Sequence, residues 1–266
     1  MSHAPAPARE PAPTPRATPR AGPPASPEPD WRPWVDYFVA HREAQRAVDA
    51  MLSLEAPVTI PDATRRRLVA SLQRFQLGES GDGAHLLAGA ARGGEAGYAE
   101  AASLFVAEEQ SHARLLGDLL TRFGAPTLDA HWSDAAFVAA RRLMGVAVEL
   151  AVICVAEGVA LVYYGTLAEA SPDATVRRVA ARILADERAH VPFHAQRIGL
   201  DLRRWGPARR AALRLFWGAA GLGATAVVLV DHSAALRDCG LPRRDAAART
   251  WRSVRAVRLA AYRREL

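Results

Sequence analysis

Two stretches of this chain carry the same arrangement of cation-binding groups. Residues 104–112 read Leu-Phe-Val-Ala-Glu-Glu-Gln-Ser-His and residues 182–190 read Arg-Ile-Leu-Ala-Asp-Glu-Arg-Ala-His, so Glu109 with His112, and Glu187 with His190, each form Glu-x-x-His. On a helix, side chains three positions apart leave one face as neighbours, about 300° round the axis. A carboxylate and an imidazole so placed can ligate one ion. Each pair also has a glutamate thirty residues upstream, Glu79 before Glu109 and Glu157 before Glu187. Four carboxylates and two imidazoles form the donor set of a dinuclear site inside a helical bundle. Hard oxygen donors suit Fe(II) or Mn(II), and open coordination positions suit O2.

In the order, residue types and spacing of these six residues, the chain resembles the ferritin-like di-iron carboxylate superfamily. That group spans ferritins, rubrerythrin-like proteins, and soluble di-iron oxygenases and desaturases. The resemblance covers roughly residues 62–200 and lies nearer the oxygenase and desaturase branch than the storage ferritins. It implies two iron ions as cofactor, Fe/Fe or Mn/Fe. Glu79 and His112 would serve one metal and Glu157 and His190 the other, with Glu109 and Glu187 bridging both. It also implies an O2-dependent non-haem oxygenase or oxidase that hydroxylates, desaturates or N-oxygenates a small organic or acyl substrate. Two alternatives use the same residues: a ferroxidase or iron-handling protein, and a metal-stabilised helical module without catalysis.

Other residues have weaker claims on the site. His194 follows His190 by one turn and Glu187 by two, so it faces the same way and could orient a ligand, relay a proton or add a donor. The matching position after His112 is Leu116, so the two halves are unequal. Some di-iron N-oxygenases add a histidine upstream of the last-helix glutamate; Ile183 in that place argues against this subgroup. Cys154 and Tyr164 are possible pocket residues, or small and aromatic core fillers. Asp82 lies one turn beyond Glu79 and could replace it. Glu108 and Asp186 sit beside the bridging glutamates, where they could hold imidazole N–H groups or face solvent. Glu149 has no assigned role.

The elements that must position these groups are all helices. The chain of 266 residues is half hydrophobic, only 7% aromatic and rich in alanine, which favours helix over strand. The expected fold is all-α: a ferritin-like four-helix bundle with a long middle crossover, an N-terminal flanking helix and two C-terminal helices. Residues 1–30 hold ten of the 18 prolines and read as a disordered tail. Residues 31–60 supply an amphipathic flanking helix and linker, and residues 61–200 the bundle. Its first helix should run from Asp62 past Glu79 to Leu87, despite the cost of Gly78, Gly81 and Gly83. The second should end at Phe123 before Gly124-Ala125-Pro126, and 127–133 should cross to the third. Between Arg142 and Glu169 that third helix carries only Glu149 and Glu157 as charges, the pattern of a buried helix. Ser171-Pro172-Asp173 opens the fourth, expected to end near Leu200.

Residues 206–240 should form an apolar helix capping the bundle, since 16 uncharged residues between Arg214 and Asp231 fall short of the roughly 20 a membrane span needs. Residues 241–266 hold eight arginines against Asp245 and Glu265, a local net of +6 that equals the charge of the whole chain. Such a basic helix suits an anionic surface or an acidic carrier protein, or is a solvated face docked on its own bundle. All 34 basic residues are arginine. Two cysteines without metal-finger spacing, and no apolar leader, point to a cytoplasmic location. No phosphate loop, dinucleotide fingerprint, flavin motif or rubredoxin-like cysteine set is present, so electrons should come from an external donor or reductase. The remaining expected partners are O2, a small-molecule substrate and a second copy in a homodimer.

Overall fold

A computed structural model of the chain describes residues 29–52, 54–141 and 145–263. Except for Pro29 and Asp30, the tail expected over 1–30 lies outside the described residues. Ten α-helices follow in order, with no strand among the described residues: α1 Arg32–Asp49, α2 Asp62–Glu79, α3 Ala84–Arg92, α4 Ala96–Arg122, α5 Trp132–Arg141, α6 Val146–Ala170, α7 Ala174–Arg204, α8 Pro207–Val227, α9 Ser233–Asp238 and α10 Arg243–Arg263. One π-helical turn, Val228–His232, joins α8 to α9.

Local chemistry sets these boundaries. Pro33 in the first turn of α1 supplies a preset φ where no intrahelical donor is needed. Asp173 caps α7 by accepting from the Thr175 and Val176 amides at 2.9 and 3.0 Å. Gly124, at φ +66°, ends α4 in the left-handed conformation that side chains resist. The first bundle helix does not continue to Leu87: it stops at Glu79, and α3 starts afresh at Ala84. The reason is Gly83, which turns the chain at φ +64° and lies so close to α4 that a Cβ there would meet Val106 Cγ2 at 2.5 Å. The crossover after α4 is not all irregular either, because α5 occupies Trp132–Arg141. α7 runs on past Leu200 to Arg204, through Pro192. That proline leaves the Arg188 carbonyl without its helical donor, just beyond His190.

α6 packs along α7, α2 along α4, and α4 against α7. α6 is apolar on every side, and neighbouring elements cover it: α3, α5, α8 and α10 all contact it. α10 docks through Val254, which meets Gly158 of α6 and Gly221 of α8 so closely that an added Cβ would lie 3.0 and 2.9 Å from it. The basic C-terminal helix is therefore seated on the protein's own core by Ala246, Thr250, Val254, Val257 and Ala261.

The apolar core forms two blocks. One takes Tyr98–Val106 of α4, Val148–Val155 of α6 and Phe193–Leu202 of α7; the other takes Leu115–Phe123, Ala160–Leu167 and Val176–Ile183 of the same helices. Between the blocks, on each helix, fall Glu109 and His112, Glu157, and Glu187 and His190. The polar residues thus occupy one layer at mid-height of the core.

Candidate metal centre

Glu79 enters this layer as the last residue of α2, held at the helix end by the Ser80–Gly83 turn. Glu109 and His112 come from α4, Glu157 from α6, and Glu187 and His190 from α7. All are buried except Glu109, which is partly exposed to a cavity. Their donor atoms fall into two groups that share Glu109: Glu79, Glu109, His112 and Glu187 in one, Glu109, Glu157 and His190 in the other, each within 4.8 Å.

Both imidazoles present Nδ1 to the layer. His112 Nδ1 lies 3.5 Å from Glu109 Oε1, 3.5 Å from Glu187 Oε1 and 3.9 Å from Glu79 Oε2. His190 Nδ1 lies 3.3 Å from Glu109 Oε1, 3.5 Å from Glu157 Oε2 and 3.5 Å from Glu187 Oε2. Glu187 thus turns one oxygen to each histidine, and Glu109 stands within reach of both. His112 Nδ1, His190 Nδ1, Glu109 Oε1 and Glu187 Oε2 have no hydrogen-bond partner although each is buried. Orphaned polar atoms cost about 1–3 kcal/mol each, and a cluster of them aimed at one point has the form of a ligand shell.

The opposite ring nitrogens are held reciprocally. His112 Nε2, on α4, pairs with Asp186 of α7 at 2.8 Å, and His190 Nε2, on α7, pairs with Glu108 of α4 at 3.1 Å. The residue preceding each shared glutamate therefore fixes the other helix's imidazole, so that Nδ1 is the atom turned inward. Asp186 also contacts Arg182, one turn before it, and from α1 it receives His41 Nε2 at 2.5 Å and Gln45 Nε2 at 2.7 Å. Those contacts, His112 foremost, outweigh burial and hold Asp186 below the usual carboxylate range. His41 and Gln45 carry no motif in the sequence; only the packing of α1 on α4 and α7 brings them here.

Burial, followed by the neighbouring carboxylates, raises the acid groups of Glu79 and Glu109, the latter strongly. Glu187 is pushed up to about 8 by burial and then by Glu157 beside it. Burial opposes charge on His190, but Glu157, the hydrogen-bonded Glu108 and the nearby Glu187 raise it well above the usual imidazole range. Without metal, Glu79, Glu109 and Glu187 thus hold their protons more tightly than free carboxyls do; divalent cations would remove that penalty.

The weaker candidates separate clearly. Tyr164 O–H donates to Glu79 Oε1 at 2.8 Å, and burial keeps this phenol protonated. His194 is buried with both nitrogens unpartnered, its Nε2 3.8 Å from Glu157 Oε1; burial, then the nearby His190, lowers it to about 3, so it is neutral. Cys154 belongs to the core and does not line the cavity. Asp82 is exposed and accepts from the Ala84 amide at 2.9 Å, so it shapes the turn and does not replace Glu79. Glu149, fully buried, is paired with His85 at 2.6 Å and Arg141 at 3.1 Å, away from the cluster.

A cavity of about 600 Å³ reaches from these carboxylates to the surface. Glu79, Glu109, Glu157 and Glu187 form its floor, and Phe105, Val106, Ile153 and Val159 are among its largely apolar walls. Arg74, Ser133, Asp134, Arg141 and His232 also line it.

The chain is thus all-helical, with a buried acid and histidine cluster that could bind metal, compatible with a ferritin-like fold. It matches no family model, no curated protein and no solved structure.

Proposed function

We propose that this protein is a ferritin-like di-iron carboxylate oxidoreductase that uses O2 to oxidise an apolar organic substrate. The observation that carries the reading is the convergence of Glu79, Glu109, His112, Glu157, Glu187 and His190, whose four glutamates line an apolar cavity. Four ionised carboxylates balance two divalent cations, leaving a neutral site that can be buried. Glu79 with His112, and Glu157 with His190, would hold one ion each, with Glu109 and Glu187 shared. Two reduced irons, if held there, would supply electrons for the reduction of O2 and so the oxidising power that attack on a C–H bond needs.

The chain's own residues supply the rest. Glu108 and Asp186 fix the imidazole tautomers, Tyr164 orients Glu79, and the apolar walls exclude water and hold the substrate against the carboxylate floor. For hydroxylation the balance is substrate plus O2 plus two electrons and two protons, giving alcohol and water. The electrons come from an external reductant.

Anaerobic titration with Fe(II), followed by O2 with and without an organic co-substrate, tests the reading. It expects two irons per chain and O2 consumption coupled to oxidation of the organic compound. Many irons oxidised per chain would instead indicate iron handling. Two bound metals with no O2 consumption would indicate a structural module.

A further inference from the structure

α8 has two faces of different fate. Leu213, Trp217 and Gly221 are buried and fasten it to the protein. On the other side Ala208, Ala212, Leu215, Ala219, Leu222 and Ala226, spaced by four and three, are all exposed. That spacing puts them on one stripe. Leu215 is 76% exposed and Leu222 61%, and within the π-helical turn Val230 is 69% exposed. Only 22% of the most apolar stretch of Pro207–Asp238 is buried, against 72% for that of α6; among the described residues these are the two helical segments long and apolar enough to cross a membrane. A stripe running about 33 Å from Ala208 to Val230 is far more apolar surface than isolated exposed leucines present.

The stripe adjoins the cavity. Ala226 and Val230 belong to both, and Trp132 of α5, 54% exposed, lines the same opening. The apolar face is therefore the rim of the entrance to the carboxylate floor. At about 100° per residue, Arg209 and Arg214 fall on opposite flanks of the stripe, and both are exposed. The chain carries a net +6. An apolar stripe with a tryptophan at its edge and arginines on its flanks has the composition of a helix lying in a membrane interface, where anionic headgroups meet the basic side chains. Because its inner face is fixed to α6 and α10, α8 lies along such a surface and does not cross it. A second copy seated on the stripe would instead cover the cavity entrance.

We propose that the exposed face of α8 docks the protein on an anionic bilayer surface, and that the cavity behind it takes a lipophilic substrate directly from that bilayer. The docking half is independent of metal; the substrate half rests on the oxidoreductase reading.

Flotation of the metal-free, full-length protein with phosphatidylcholine vesicles, with and without phosphatidylglycerol, tests the docking. Wild type is expected to float with the anionic vesicles and to be released by high salt. The double variant L215E/L222E, both positions already solvated, is expected to stay behind with an unchanged helical spectrum. Wild type that does not float, or a variant that floats equally, overturns the proposal. So does a wild-type dimer in sedimentation velocity that the double variant converts to monomer, since the face would then be an interface between copies.

A dansyl-labelled fatty acid in the vesicles tests the substrate half. Bound wild type is expected to take it up, with a blue-shifted emission, and Gly223→Trp at the entrance to lose the uptake while still floating. No uptake by bound wild type overturns this half. Iron stoichiometry on the same samples separates the two readings: flotation without iron binding defeats only the oxidoreductase, and two irons without flotation defeats only the docking.

Discussion

The two halves of the cluster are written alike and built differently. On the α4 side, His112 is held by Asp186, which in turn is held by Arg182, His41 and Gln45, while the next turn inward offers only Leu116. On the α7 side, His190 is held by Glu108, whose other oxygen is buried without a partner, and the next turn offers the neutral, unpartnered His194. One half is braced from outside and the other carries a spare imidazole. A repeat in sequence fixes which donors meet. Helix α1 reaches both halves but hydrogen-bonds only one of them, through His41 and Gln45 to Asp186, and so decides how stiffly His112 is held.

Replacing shared and unshared carboxylates gives the sharpest test. Glu109→Ala or Glu187→Ala is expected to take bound iron from two per chain to none, because Glu109 belongs to both groups and Glu187 turns one oxygen to each histidine, and His190→Ala to abolish stoichiometric loading. Glu79→Ala or Glu157→Ala should leave one ion. Iron analysis after anaerobic loading measures this, and equal loss from all four glutamate variants would show that the halves are not separable.

Acidity of the layer is the next handle. Glu187, near 8 in the folded protein, holds a proton that an unfolded chain releases from about pH 4.5 upward. Below about pH 6.5 the buried, neutral His194 and His232 pull the other way, since only the unfolded chain protonates them. Above it the folded metal-free protein binds more protons through Glu187, so its melting temperature should fall as pH rises from about 6.5 to about 8. Bound metal displaces those protons and should remove the fall, while metal affinity itself rises with pH up to about 8. Thermal scans with and without chelator check both signs.

The bracing can be compared directly. Asp186→Asn should weaken metal binding about 100-fold and Glu108→Gln about 10-fold, the upper and lower ends of the usual range for residues that orient a ligand. Asp186→Asn should also destabilise the metal-free protein, since it leaves the buried Arg182 facing a neutral amide. Competition with a chelating dye measures the first and urea unfolding the second. Equal effects at the two positions would mean that the support from α1 is immaterial.

Making the α7 half resemble the α4 half has a smaller effect. His194→Leu should raise the stability of the metal-free protein by about 1 kcal/mol, because it removes a buried group with no partner for either nitrogen. Tyr164→Phe, which loses one hydrogen bond to Glu79, should cost about 1 kcal/mol. Denaturant midpoints resolve both.

α6 and α8 show where reading the sequence succeeds and where it stops. Each is apolar and long, yet α6 is enclosed and α8 presents a solvated stripe. The expectation that residues 206–240 cap a core holds only for the face of Leu213, Trp217 and Gly221. Whether neighbours cover the other face is decided by distant segments. The break after Glu79 was visible only as three costly glycines; what makes it obligatory is Val106 of α4, pressed against Gly83. Asp82, by spacing an alternative to Glu79, accepts from the Ala84 amide and shapes its own turn. Glu149, by contrast, is answered by Arg141 and by His85, a partner far away in sequence.

By itself the sequence determined the all-helical character and the types and spacing of the six donors. Helical periodicity is a local property, and a thirty-residue offset repeated with the same side chains survives any packing of long helices. The tertiary structure alone decided which nitrogen each histidine turns inward, the bracing of Asp186 by His41, the neutral isolation of His194, and the opening of the cavity beside an exposed apolar stripe. Each of these depends on atoms brought together from far-separated segments, and no spacing along the chain encodes them.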